Sequence, residues 1–512
     1  MPTSPNPKHR GAKTRHASAR QRGRHASSYG DGFGRFAGIT TLALLPGAGL
    51  VATGRRKVGF LLLLLAAVVL ASLAVIAVSG GVVNRVLTVA VSPGRLLALA
   101  GLALAIGAIW CLTIMATAWR ARPERPSPFQ GIVGFVLVFA LCMIVAAPSA
   151  KGAQLAMVQR DLVTTVFSDS SAAPSAAGAA KPKSKAKDPW KNIPRVNLLL
   201  LGSDSGADRT GVRTDSMMVV SINTKTGDAT LVGLPRSLQN APFPESNPLH
   251  AYWPNGFNCG SECLLNAVWN QAAVQHKDLF KGNNNPGLTS TRDVISEITG
   301  LRIDNYVTID MAGFQGLVNA MGGVDVTVHQ RLPIGGGEVS ATNHTQRAIT
   351  GWIEPGKQHL SGYKAMWFAR SRHSTDDYDR MRRQRCLVGD LVDQVNPVRM
   401  LGKYADLADV FKHNLTTDIK QDQLQAWVVL AQRMKKGEIN SLPLTSKVIS
   451  TVHPDFPAIR EYVQTALNPK KPSAPASTST PTSTKTSTKT STPTPSLGST
   501  DSKDAQDLAE VC

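Results

Sequence analysis

Acidic residues are in short supply. Asp and Glu number 35 against 56 Lys and Arg, so the 512-residue chain carries a formal charge of +21. That balance argues against a cationic partner and for an anionic one: nucleic acid, a lipid surface or an anionic substrate. Several catalytic signatures are also missing. The turn after the strand-like "RVNLLLLG" (195–202) holds no Gly-Lys-Thr, which excludes a phosphate loop there. Position 204 is Asp, so the turn is not a Gly-x-Ser-x-Gly nucleophile elbow. No His pair has metal-ligand spacing, and the lone C-x3-C at 259–263 has no second Cys/His pair to complete a zinc site. No internal repeat is visible.

Three stretches lack charge altogether: "VGFLLLLLAAVVLASLAVIAVS" (58–79), "LLALAGLALAIGAIWCLTIMATA" (96–118) and "GIVGFVLVFALCMIVAAP" (131–148). Each is about long enough to cross a bilayer core, which takes roughly 17–25 residues. A signal peptide does not fit three such stretches without a cleavage site. The basic tail, "GRRK" (54–57) and "RARPER" (120–125) belong on the cytoplasmic side, which requires three spans. The shorter "FAGITTLALLPGAGLVATG" (36–54), broken by Pro46, Gly47 and Gly49, is then re-entrant or interfacial. The expectation is a multi-pass cell-membrane protein with everything after residue 150 outside.

The chain therefore divides into a disordered basic cytoplasmic tail (1–35), a membrane region (36–150), a stalk (151–189), an extracytoplasmic domain (190–468) and a Ser/Thr/Pro-rich disordered tail (469–512). The outer domain interleaves strands and helices, which makes it an α/β fold with helices covering a central sheet. Strands are expected at 195–202, 217–223, 228–235, 305–311 and 324–329, and helices at 263–275, 291–300, 312–323, 380–395 and 421–435. Cys111 and Cys142 lie inside spans. Outside them, "CGSEC" closes a small local loop if Cys259 pairs with Cys263, and Cys512 suits a tether to Cys386.

Two segments concentrate charge. "ARSRHSTDDYDRMRRQR" (369–385) holds Arg370, Arg372, Arg380, Arg382, Arg383 and Arg385, with Asp376, Asp377 and Asp379 among them. "LLLLGSDSGADRTGVRTDSMMVVSIN" (198–223) places Asp204 at a strand exit, where open α/β sheets put ligands, and adds Arg209, Arg213 and Asp215 before the next strand. Arginine stays charged and grips planar oxyanions in two places. On a helix, Arg380, Arg383 and Gln384 fall on one face at i, i+3 and i+4. That face is expected to meet the anion, with Arg382 and Arg385 nearer solvent or paired with acids such as Asp376 and Asp379. Arg370 and Arg372 are read as alternate residues of an extended segment, facing one way.

Strand-exit "GSD", "RTD", "LPRS" (234–237), "ARSR" and "DRMRRQ", in that order, resemble LytR–CpsA–Psr domains of the actinobacterial type over about residues 193–395. "LVNAMGGVDVTV" (317–328) and "HLSGYKAMWFARSR" (359–372) also fit. The sequence departs from the family at Arg385, where a second Gln is usual, and in the acidic "STDDYD". The resemblance implies an α-β-α sandwich with a central mixed sheet behind N-terminal transmembrane helices, a greasy tunnel for a polyprenyl chain and a polar mouth for pyrophosphate. It implies transfer of a glycopolymer from a polyprenyl-pyrophosphate carrier to a peptidoglycan acceptor, releasing the carrier. The catalytic set is then Asp204, Arg213, Asp215 and Asp377. Substrate binding falls to Arg213, Arg236, Arg370, Arg372, Arg380, Arg383 and Gln384. Carboxylate and phosphate oxygens suit Mg²⁺ (or Mn²⁺), with Asp204 and Asp215 as the pair that holds it. The same oxyanion site would serve a polyprenyl-pyrophosphate pyrophosphatase. A membrane-bound transcriptional regulator is supported by basic charge alone. No nucleic acid is expected, since the arginine cluster lies across the membrane; the partners are the lipid-linked polymer, peptidoglycan and membrane lipid.

Overall fold

The computed structural model describes residues 32–78, 86, 88–124, 126–167, 178–183, 186–203, 214–336, 348–371, 376–394, 403–446, 448–468, 506–507 and 512. It contains two compact units, one of Met1–Ala90 with Gly94–Met157, the other of Val91–Pro93 with Val158–Cys512.

The first unit is helical. α1 (Arg56–Val78) carries the expected 58–79 span up to residue 78. The expected spans at 96–118 and 131–148 lie within the helices α2 (Pro93–Ala121) and α3 (Pro128–Val166). α2 and α3 are long and apolar enough to cross a membrane. Ala43, Ile114, Leu141 and Val145 form a small buried cluster, and Trp110 Nε1 donates to the Ala43 carbonyl at 3.1 Å. The stretch 36–54 is helical on either side of a turn at Gly47, whose φ of +92° needs glycine. A Cβ there would also strike the Gly59 carbonyl.

The second unit is built on a seven-stranded mixed sheet. Its strands are β1 (Arg195–Ser203), β2 (Thr214–Asn223), β3 (Ala229–Leu234), β4 (Asn305–Asp310), β9 (Leu415–Thr417), β10 (Ile439–Pro443) and β11 (Gln506–Asp507), in the order β11-β10-β3-β2-β1-β4-β9. β1 pairs antiparallel with β2 and parallel with β4. β3 pairs antiparallel with β2 and parallel with β10. Two small hairpin-like sheets pair β5 (Val324–Val328) with β8 (Gly356–Leu360) and β6 (Leu332–Gly335) with β7 (Ile349–Ile353).

Both faces of the central strands are apolar, which is why "NLLLL" reads as an unbroken hydrophobic run. On one face Leu199, Leu201, Met217, Val219, Val232 and Leu234 pack with α4 (Pro286–Thr299) and α10 (Phe456–Leu467). On the other, Val196, Met218, Val220, Ile222 and Leu231 pack with Trp190 and with Ala426 and Leu430 of α9 (Leu424–Met434). Helices thus cover both faces of the sheet. The remaining helices are α5 (Met311–Met321), α6 (Gly362–Arg370), α7 (Asp377–Gln394) and α8 (Tyr404–Asn414). A third cluster, including Val318, Val324, Leu360, Phe368 and Leu387, binds α5, α6 and α7 to the small sheets.

The folded unit reaches beyond the 190–468 boundary at both ends. Val163, at the end of α3, packs on Ile419 and Leu424. Within the expected stalk, the buried Asp304 carboxylate accepts from the Ala180 amide at 2.9 Å; at the domain's first residue, the Trp190 indole donates to the Ala426 carbonyl at 2.8 Å. At the other end β11 adds antiparallel to β10, and a disulfide joins Cys512 to Cys386 of α7. The second bridge is Cys259–Cys263. The 263–275 segment is largely core: Leu265, Val268, Trp269 and Ala272 are buried in the main cluster.

The Cys386–Cys512 bridge closes a loop with a sequence separation of 126 residues. Cross-links of that span stabilise by about 2–5 kcal/mol, chiefly through the unfolded chain. Cys512→Ser should therefore lower the thermal midpoint of the full chain in detergent by several degrees, and reductant should lower the wild type to a similar value. An unchanged midpoint in both tests would show that the bridge holds nothing of consequence.

Candidate active site

β1 and β2 meet the site through an irregularity in their pairing at Gly202/Ser203. Such bulges re-aim the side chains beside them. Asp215, the second residue of β2, accepts from Arg236 Nη1 at 2.8 Å and from Asn266 Nδ2 at 3.2 Å, both on Oδ1. Arg236 follows β3 after Pro235, and its carbonyl accepts from the Asn266 amide at 3.1 Å. One backbone bond therefore fixes the two residues that grip Asp215. From Arg236 the contacts continue to α7. Its Nε lies 3.7 Å from Asp377 Oδ1, which is 3.0 Å from Arg380 Nη2. The result is a continuous relay, Asn266–Asp215–Arg236–Asp377–Arg380, joining β2, the β3 exit and the first turn of α7.

Burial pushes the Asp215 carboxyl up, but Arg236, Asn266 and Arg380 outweigh it and hold the group below the usual carboxylate range. Asp215 is thus a fixed anion at neutral pH. Neither oxygen of Asp377 has a hydrogen-bond partner of good geometry, although Oδ1 sits within ion-pair reach of both arginines.

A second set of contacts fixes the backbone before α7. Arg383 donates through Nη1 to the Phe368 carbonyl and through Nη2 to the Ser371 carbonyl, the latter at 2.5 Å. Its Nε donates to Asp379 Oδ2 at 3.0 Å. Gln384 Nε2 donates to the Ala369 carbonyl at 3.1 Å, while its Oε1 accepts from Ser216 Oγ at 3.2 Å. Asp379 also accepts from Arg382 Nη2 at 2.8 Å and from Gln330 Nε2 at 3.2 Å. Burial raises the Asp379 carboxyl, yet Arg382 and Arg383 together bring it below its ordinary value.

The profile of the LytR_cpsA_psr family matches residues 162–466, more than half of the chain. The chain belongs to the LytR_cpsA_psr family. Biofilm regulatory protein A of Streptococcus mutans is 28% identical over 231 residues, covering 44% of this chain and 50% of that protein. The polyisoprenyl-teichoic acid–peptidoglycan teichoic acid transferase TagV of Bacillus subtilis is 24% identical over 237 residues, 46% of this chain and 52% of that one. The cell wall biosynthesis protein LcpA of Corynebacterium glutamicum is 24% identical over 279 residues, 49% and 50% respectively. The chain spans about half the length of these curated relatives. The crystal structure of B. subtilis TagV aligns with a TM-score of 0.36 at 22% identity, over 53% of this chain and 96% of that chain.

In this family member the structure brings Asp215, Arg236, Asp377 and Arg380 together. Asp204, Arg213 and Arg372 lie outside the described residues. Three expectations are revised. Arg383 and Gln384 do share a side of α7 with Arg380, but Arg383 clamps two carbonyls and Gln384 bridges β2 to the end of α6. Arg370 is the last residue of α6 rather than part of an extended segment, so alternation does not set its direction. Its Nη1 lies 3.3 Å from Met311 Sδ, and its guanidinium lies 5.5 Å from the Trp367 ring centre. Arg382 pairs with Asp379 as expected, but Arg385 is buried rather than near solvent. The outward reading assumed that only one side of α7 is covered, whereas the sheet, α6 and the C-terminal bridge enclose it.

Asn266 was not anticipated. Its only signal is an amide within the apolar "CLLNAVW" run, and core asparagine is an ordinary alternative. Of the expected metal pair, Asp215 supplies a carboxylate that its neighbours keep ionised, which suits a hard divalent cation; Asp204 lies outside the described residues. Among the described residues no group of three or more potential ligands forms a cage. Mg²⁺ does not require one, since it commonly uses one or two carboxylates with phosphate and water.

These contacts separate two kinds of arginine. Arg383→Ala removes a buried cation and leaves the Phe368 and Ser371 carbonyls without it, which should cost about 3 kcal/mol or more. Arg236→Ala removes a partly exposed side chain and should cost clearly less. Urea unfolding followed by tryptophan fluorescence will show the order; equal stability of Arg383→Ala and wild type would refute the clamp.

Proposed function

We propose that this protein transfers a glycopolymer from a polyprenyl-pyrophosphate carrier to peptidoglycan. The carrying observation is the relay of Asp215, Arg236, Asp377 and Arg380 at the β2–β3–α7 junction. It holds two guanidinium groups in place by carboxylates that are themselves fixed. Pyrophosphate offers oxyanions and little else to grip, and arginine forks meet them with strong, charge-assisted bonds. Phosphoryl transfer depends on alignment and charge neutralisation more than on covalent help. The names of relatives such as TagV, a teichoic acid transferase acting on peptidoglycan, agree with this reading.

In the proposed step Arg236 and Arg380 bind the donor's phosphoryl oxygens, with Arg213, Arg370 and Arg372 completing the cradle. A sugar hydroxyl of the acceptor forms a bond to the phosphorus bearing the polymer. The bond from that phosphorus to the bridging oxygen breaks, and polyprenyl phosphate leaves with that electron pair. Asp377 takes the hydroxyl proton; its oxygens are the ones without hydrogen-bond donors. Asp204 and Asp215 would hold Mg²⁺ or Mn²⁺, which when bound neutralises phosphoryl charge. Three spans at 58–79, 96–118 and 131–148 would anchor the protein with this domain outside the cell. Its two disulfides suit an oxidising compartment.

The test uses the full chain in detergent, labelled lipid-linked polymer and peptidoglycan sacculi. Label should become bound to the sacculi, and Asp215→Asn should reduce that at least a hundredfold. Label released to water at the same rate with or without sacculi would identify a pyrophosphatase instead.

A further inference from the structure

Arg385 is 3% exposed, yet it has no acidic partner among the described residues. Its one hydrogen bond there runs from Nε to Ser441 Oγ of β10, at 2.6 Å. Nη1 is buried without any partner. The other buried arginines of α7 differ: Arg380 pairs with Asp377, and Arg382 and Arg383 share Asp379. Arg382 adds a like charge that disfavours the cation, and the Tyr462 phenol opposes it more weakly. Burial, with that repulsion, lowers its pKa to about 10, which still leaves it protonated at neutral pH.

The space for this group is specific. A Cβ on Gly233 of β3 would stand 3.0 Å from Arg385 Nη1 and 3.4 Å from the Met381 methyl. Met381 and Arg385, at i and i+4, thus lie together over the end of the strand that leads into Arg236. Arg380 is five residues earlier on α7, about 7.5 Å along the axis. A buried charge without a counter-ion is unfavourable for folding, and an apolar residue of similar volume is often better tolerated. The unbalanced charge sits on the same helix as Arg380 and against the strand that leads into Arg236.

We propose that Arg385 is an electrostatic positioning residue for the donor: a fixed buried charge, left without a counter-ion, whose field helps to draw the pyrophosphate into the Arg236–Arg380 site. Arg385 need not touch the ligand. In a medium of effective dielectric about 20, a unit charge about 10 Å away favours a dianion by roughly two orders of magnitude before screening. Mobile ions reduce this, so about tenfold is the expected effect. The inference rests on the pyrophosphate reading of the site.

The experiment measures two quantities on the full chain in detergent: the thermal midpoint, and the affinity for inorganic pyrophosphate by calorimetry. Arg385→Met is compared with wild type and Arg380→Ala. The expected result has opposite signs: Arg385→Met melts about 2–4 °C higher, because the uncompensated charge is gone, and binds pyrophosphate about tenfold more weakly. A purely structural arginine would lower stability when removed. Arg385→Met melting below wild type, failing to fold, or binding pyrophosphate as tightly as wild type overturns the proposal. If wild type binds pyrophosphate no better than Arg380→Ala, the reading of the site itself fails, and the role of Arg385 fails with it.

Discussion

Four arginines of one helix are buried together, Arg380, Arg382, Arg383 and Arg385, none more than 7% exposed. Removing one guanidinium from water is costly, and removing four from the same helix is possible only with compensation. The first turn of α7 provides two aspartates, Asp377 and Asp379, at the helix end where negative charge is favoured. Asp215 reaches the same group through Arg236. Much of the outer unit serves to keep this arrangement in place. β2 and β3 present Asp215 and Arg236, α6 ends where Arg383 can take its carbonyls, and the C-terminal strand and disulfide close the outer side of α7.

The compensation is incomplete in a directed way. Asp377 and Asp379 are shared among Arg236, Arg380, Arg382 and Arg383, and Arg385 has no acidic partner among the described residues. The surplus is positive and lies between α7 and the end of β3. A folded protein gains nothing in stability from such a surplus. It is understandable where the missing negative charge arrives with a substrate. Arg383 and Gln384 fix the backbone around Arg370, and on the proposed reading the oxyanion-facing work falls to Arg236 and Arg380.

Much of this organisation was legible in the chain. Strands buried on both faces appear as apolar runs, so β1 to β3 were placed within a few residues. The amphipathic period of 380–395 placed α7, and the "RTD", "LPRS" and "DRMRRQ" segments contain the residues that now meet. What escaped depends on distant contacts. β10 and β11 are short and pair with strands far away in the sequence. Ala180 sits in a segment whose composition reads as linker, and only its bond to Asp304 shows why it is buried. Helical periodicity grouped Arg383 and Gln384 with Arg380 but could not reveal that nearby carbonyls would claim them. For Arg385 the expectation of solvent was natural, because an unpaired buried arginine is a rare arrangement.

The central claim is that Arg236 and Arg380, aligned by Asp215 and Asp377, form the oxyanion site. A structure of the full chain with a bound polyprenyl pyrophosphate tests this most directly. The account places phosphoryl oxygens within hydrogen-bond distance of both guanidinium groups, with Arg383 still on the Phe368 and Ser371 carbonyls. Pyrophosphate bound elsewhere, or held by Arg383 and Gln384 after they release those backbone contacts, would contradict it.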